Sequence, residues 1–319
     1  MHGFSNKFKD FPDYILGITQ EIWEERGLGL KMRDYYHKDV VIRTPAGIAF
    51  GEPGMTAATM ATLVEFPDRA LLGEDVIWSG TPDEGMLSSH RIYTTGTHLG
   101  DGLFGKATGK RFGIHVIADC YAHANQISDE WLIRDNGGIV RQLGMEPRDW
   151  AQAQIDAGDD NMPFTPAVDQ DGPYLGRGND NAWGQKLADL LTRIMNAELS
   201  VIPAEWDRAA VLSYAGAVQG HSWGDADRFW LTLRSAFPSA EFKIHHVIGR
   251  DDPLMPPRAA VRWSLTGKHD GHGVFGPPTG AEVHVMGATH AEFGPWGLRR
   301  EVSLYDETAV WKQILLQKG

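Results

Sequence analysis

One stretch concentrates the groups that could move protons. In RFGIHVIADCYAHA (111 to 124), strand alternation puts His115, Ile117, Asp119, Tyr121 and His123 on one face. Val116, Ala118, Cys120 and Ala122 make the other. A carboxylate at Asp119, walled by apolar neighbours, would have its pKa raised by desolvation and serve as general acid or base on a carbon acid. Further along, His284, Met286, Ala288, His290 and Glu292 repeat the arrangement, opposed by Val285, Gly287, Thr289 and Ala291. His290 stands where Asp119 stands and would do the same job with a different resting charge. The competing reading is a face turned to water, where alternating charge needs no function.

Around this centre, Arg91 and Arg262 could steady a carboxylate or enolate oxygen or form a sheet salt bridge. His98 and His269 sit beside glycine-rich turns, as pocket walls or as satisfied core histidines. Glu130 and Glu301 head the last strand of each copy, with Trp131 and Ile133 on the adjoining apolar face. The candidate catalytic set is therefore Asp119, His115, His98, Arg91 and His290, with Tyr121, Glu130, Trp131, His269 and Glu301 as candidate substrate contacts. No metal is expected: there is no H-E-x-x-H or C-x-x-C, and the adjacent His245 and His246 point to opposite faces of a strand. A nucleophile mechanism is not favoured either, for want of a G-x-S-x-G elbow and because Cys120 lies on the small apolar face.

Two matches to the dinucleotide fingerprint G-x-G-x-x-G, GDGLFG (100 to 105) and GHGVFG (271 to 276), raise the question of a cofactor. A dinucleotide site needs those glycines to open a helix. Here Pro277-Pro278 follow the second match, and both copies then alternate as strands, so a hairpin fits and no cofactor is expected.

These segments recur because the chain is duplicated. Residues 66 to 143 lie on 237 to 314 without a gap, matching Phe66-Pro67 to Phe237-Pro238, Arg91 to Arg262, His98 to His269 and Glu130 to Glu301. Helices are expected at Tyr14 to Trp23 and Thr56 to Glu65, and again around Leu187 to Ile194 and Asp225 to Ala236, each pair followed by strands. Helices first and antiparallel strands after make α+β. We place one domain at 1–145 and a second, divergent one at 183–319, joined by a turn-rich linker at 146–182 whose aromatics could dock on a domain.

A net charge of −12 and a sequence without basic runs argue against nucleic-acid binding. The single cysteine, together with no signal peptide and no membrane-spanning run, gives a cytoplasmic expectation.

The succession YYHKDVVIRTPAG, FGEPGM, FPD, TGTHLGDGLFGKATGKR, ISDEWLIRD and QLG resembles the SnoaL-like polyketide cyclases, of the nuclear-transport-factor-2-like superfamily. Copy 2 resembles them more loosely and lacks the counterpart of Trp131. The resemblance implies two tandem cone-shaped domains, each a curved antiparallel sheet backed by N-terminal helices and enclosing a ligand cavity. It also implies a cofactor-independent lyase, isomerase or cyclase acting on a small carbonyl compound. Asp119 would be its acid/base, with His115, His98 or Arg91 holding the oxyanion. The alternative is a non-catalytic small-molecule-binding protein of the same fold. Family members pair through their sheets; the tandem chain would form that pair internally or as a homo-oligomer, with the small face Val116, Ala118, Cys120, Ala122 permitting close packing.

Overall fold

The computed structural model describes residues 1–318. Its first half begins with α1 (Phe11–Thr19), started by the Asp10 carboxylate accepting from the Asp13 amide at 2.9 Å and by Pro12 in the first turn. The apolar spacing of Ile15, Ile18 and Ile22 continues beyond α1 as a π-helical turn at Gln20–Glu24. Then come α2 (Leu30–Tyr35), β1 (Tyr36–Thr44), β2 (Gly47–Phe50), α3 (Gly51–Glu65), β3 (Ala70–Thr81), β4 (Gly85–Thr97), β5 (Arg111–His123), β6 (Gln126–Arg134) and α4 (Asn136–Leu143). A connecting helix, α5 (Pro147–Asp156), leads to the second half: α6 (Ala182–Met195), α7 (Val201–Glu205), β7 (Trp206–Tyr214), β8 (Val218–His221), α8 (Trp223–Ala236), β9 (Glu241–Arg250), β10 (Arg258–Lys268), β11 (Glu282–Gly294), β12 (Gly297–Tyr305) and α9 (Glu307–Lys318).

Both halves build a six-stranded sheet in the same order, β2-β1-β6-β5-β4-β3 and β8-β7-β12-β11-β10-β9. The pairings repeat at the sequence offset: Arg91 opposes Ile117, and Arg262 opposes Ala288. The fold is α+β and duplicated. The sheets are mixed rather than wholly antiparallel, because β1 runs parallel to β6 and β7 to β12. A tight hairpin would force opposite directions, but the whole half separates β1 from β6, and β1 spends its other edge on the β2 hairpin.

The two G-x-G-x-x-G stretches connect antiparallel strands β4 to β5 and β10 to β11, and each closes on itself through paired Gly102–Gly105 and Gly273–Gly276 amides. Their glycines answer to a neighbouring helix end. A Cβ on Gly100 would lie 2.1 Å from the Val64 carbonyl oxygen, and one on Gly273 would lie 2.2 Å from that of Thr232. The Glu65 side chain, at the end of α3, accepts from the Phe104 and Leu103 amides at 2.7 and 3.1 Å and clasps the first loop.

Each sheet turns one face to its own helices and the other to the opposite sheet. Between the sheets Ile117 and Ile133 pack with Met286, Ala288, Val302 and Leu304. Charged pairs cross the same seam: Arg262 Nε donates to Asp119 at 3.0 Å, Arg91 Nη2 donates to Glu292 at 3.2 Å, and Arg258 pairs with Asp75. The connecting segment is docked through its aromatics. Trp150 stacks on Phe104, Phe164 enters the seam and donates its amide to the Pro45 carbonyl at 3.1 Å, and Tyr174 meets Tyr121, Trp131 and His246.

Candidate active site

The first half encloses a cavity of about 680 Å³ between its sheet, α1 and α3, within the range of small-molecule sites. Its floor comes from the small face of the strands. Val116, Ala118 and Cys120 of β5 line it, and their short side chains leave the space open. Above them α3 contributes Met55, Ala58, Thr59 and Thr62, and in that helix only Gly51 and Glu65, at its ends, are buried. It lies over the opening without the apolar anchors that would fill it.

Against these apolar walls stand a few polar groups: Glu130 and Arg134 of β6, His90 of β4, and Arg69 from the turn before β3. Register fixes their spacing. His90, Ala118 and Leu132 form one row across the sheet, with Cys120 opposite Glu130 two residues to one side of it and Val116 opposite Arg134 two residues to the other. Glu130 and His90 thus stand two strands and two residues apart, ~12 Å at the backbone, with a small-residue floor between.

Burial pushes the Glu130 carboxyl up to about 7; the Tyr36 hydroxyl and Arg134 oppose the rise without cancelling it. Its Oε2 is buried and has no hydrogen-bond partner. Burial also lowers His90 to about 4, so its imidazole is neutral at neutral pH, and its Nε2 is likewise unpartnered.

In the second half the same glutamate has its hydrogen bonds complete. Glu301 accepts from Trp206 Nε1 at 2.8 Å, Tyr214 at 2.9 Å, Trp230 Nε1 at 3.0 Å and Ser303 at 2.6 Å. Both oxygens are satisfied. At the positions of those four donors the first half has Tyr36, Thr44, Thr59 and Leu132, so the shell around Glu130 is largely stripped. Aromatics occupy the second cone. Trp263 replaces Ile92 and lies over Gly287, where a Cβ would meet its ring at 2.3 Å, and Trp230 and Phe229 replace Thr59 and Ala58. Val261, Leu265 and Tyr305 stand where His90, Thr94 and Arg134 stand in the first half.

Of the candidate catalytic and substrate-contact residues, Glu130 alone is among the described residues lining this cavity. The assignment of Asp119 to the cavity is corrected: it is 2% exposed, in the seam, held by Arg262. Burial does raise its pKa, against the pull of Arg262, but the low-dielectric surroundings are the opposite sheet rather than a ligand space. His290, held neutral by burial and by Arg91, bonds Ser89 Oγ at 2.8 Å in the same seam. This pair has nucleophile and base spacing, yet neither member lines the cavity. Arg91 bridges Glu74 and Glu292, and His115 faces Glu74 at 3.2 Å. Tyr121 packs on Tyr174, while Trp131 lies under the Arg262 and Arg43 guanidinium groups. His98 and His269 brace the hairpins through Thr108 and Thr279, at 3.2 and 3.1 Å. Glu301 sits in the filled cone.

Alternation had divided the strand into the right two sets and oriented them the wrong way round. The small face expected to form the contact between copies lines the cavity, and the polar face expected to line the cavity forms the seam. His90, Arg69 and Arg134 were missed. The signal for them was the duplication: positions where copy 2 carries Val261, Ala240 and Tyr305 instead.

No family model matches this chain, and no curated protein matches it. Solved structures do. Its likeness is to SnoaL-like polyketide cyclases. One from Agrobacterium tumefaciens is 15% identical, with 42% of this chain and 98% of that one covered and a TM-score of 0.33. IdmH from Streptomyces antibioticus is 24% identical over 42% of this chain and 98% of its own, with a TM-score of 0.36. TsrD from Streptomyces laurentii is 22% identical over 43% and 98%, also with a TM-score of 0.36. Each spans the length of one half. Among the described residues, no helix is long and apolar enough to cross a membrane.

The raised Glu130 pKa has a consequence for stability. A carboxyl that titrates near 7 when folded and near 4.5 when unfolded stabilises the fold fully below the lower value and loses that contribution as pH rises through about 7. The difference is on the order of 3 kcal/mol. Denaturant unfolding at pH 5 and pH 8.5 should show a fall to which the buried Asp135 and Asp306 also contribute, and Glu130→Gln should make that fall smaller; equal pH dependence in both proteins would refute the assignment.

Proposed function

We propose that the first half is a general acid-base catalyst acting on a largely apolar, carbonyl-containing small molecule. Glu130 removes and returns the proton α to the carbonyl. The second half serves as its non-catalytic structural partner. One observation carries this reading: a buried carboxyl lining a cavity in one half titrates near neutral pH and keeps one oxygen without a hydrogen-bond partner, while its counterpart in the other is locked by four donors.

At neutral pH, Glu130 populates both its ionised and protonated forms, as a base that must later act as an acid requires. The neutral His90 can hydrogen-bond a carbonyl oxygen, and Arg134 lends positive charge to the enolate that forms. The C–H pair left on the substrate passes into the enolate; it then forms a C–C bond to a second carbonyl carbon whose oxygen takes the Glu130 proton, or a C=C bond as a β leaving group departs with its own bonding pair and that proton, or it takes the proton back at a vinylogous carbon. These outcomes correspond to aldol cyclase, lyase and isomerase, and each is balanced within the substrate and the Glu130 proton.

Incubation with a panel of aryl and alicyclic ketones in D2O, followed by NMR, tests the reading. Deuterium should enter the α position of at least one ketone faster than in buffer. Saturable binding of ketones to the cavity without exchange would leave a binding protein in place of a catalyst.

A further inference from the structure

We infer that the cavity of the first half recognises a carboxylate on its ligand, docked two-pronged against one edge of the Arg69 guanidinium. This rests on the cavity being the ligand site, and is independent of Glu130 being the base. Arg69 lines the cavity from the turn between α3 and β3. Its Nε and Nη2 are both buried, and neither has a hydrogen-bond partner. Those two nitrogens form the guanidinium edge whose parallel N–H bonds match the two oxygens of a carboxylate.

The charges nearby leave the position open for an anion. Arg134 and Arg26 add positive potential, and Glu24 opposes them. Glu24 Oε1, however, accepts from the Leu71 amide at 2.8 Å. Arg26 is turned to the Pro67 carbonyl. A guanidinium edge withdrawn from water without a partner is costly, and a ligand anion removes that cost. In the second half, whose cone is filled, the corresponding residue is Ala240, packed in the core. The arginine stands in the half with the cavity and is replaced in the half whose interior carries the aromatics. The ligand class is thus an apolar carboxylic acid, with its hydrocarbon body over Val116 and Ala118 and its carboxylate toward Arg69.

Calorimetry on the full chain with 2-naphthoate and its near-isostere 2-naphthamide tests this. Wild type should bind the acid ~10 to 100-fold more tightly than the amide, as a charge-assisted two-pronged contact provides. Arg69→Met should erase that preference by weakening the acid alone, and Arg69→Lys should keep part of it. Amide binding that persists in Arg69→Met reports an intact cavity. Equal affinity for acid and amide in wild type, or equal weakening of both by Arg69→Met, overturns the carboxylate site and leaves the Glu130 reading standing. Binding of neither probe overturns both.

Discussion

Replacing Glu130 with glutamine should lower α-proton exchange ~10² to 10⁴-fold, the range by which a positioned general base accelerates proton transfer. In wild type the rate should rise with pH through about 7, as the buried carboxyl ionises. The residual rate in Glu130→Gln should lack that inflection. Glutamine keeps the size of the side chain and an acceptor oxygen for Tyr36, so the cavity should survive, and unfolding curves check this. Glu301→Gln is the matched control. It should leave exchange unchanged while destabilising the second half, because an amide cannot accept from all four donors now around Glu301. Exchange that persists in Glu130→Gln at the wild-type rate would remove Glu130 as the base.

Asp119→Ala should destabilise the protein by ~3 to 5 kcal/mol, because it leaves the Arg262 guanidinium buried without its carboxylate. The Arg262 side chain is 10% exposed and that of Asp119 3%, so water cannot substitute for the lost partner without opening the seam. Pairing the substitution with Arg262→Leu should recover much of the loss, since the neighbouring Ile117, Ile133 and Met286 can pack against an apolar side chain. Exchange per folded molecule should be unaffected. The opposite pattern, a stable Asp119→Ala protein without activity, would return Asp119 to the catalytic role that its strand position suggested.

The helices over 182–195 and 223–236, strands β3 to β6 and the duplication were legible because local physics writes them: apolar spacing, β-branched alternation and a register kept by Phe66-Pro67 and Phe237-Pro238. Which face of β5 looks inward was not. Period two sorts side chains into two sets without saying which meets the helices. Here the intuition that polar groups line a site failed, because ion pairs such as Arg262–Asp119 let the polar face be buried between sheets. The parallel β1–β6 pairing was equally hidden, being a contact between residues far apart in the chain. Arg69 lay in a turn, where no periodicity marks it, and Arg134 ended a strand whose Glu130 had drawn the notice.

The seam also bears on inheritance. In an association of identical chains, a substitution on one side is imposed on the other, so Asp119 would have to coexist with a second Asp119, and Tyr121 with a second Tyr121. Joined in one gene, the two sides drift separately, and here they have become lock and key: Asp119 answers Arg262, while Arg91 answers Glu292. With each half resting on the other, the interior of the second is free to be filled by tryptophan while that of the first stays open.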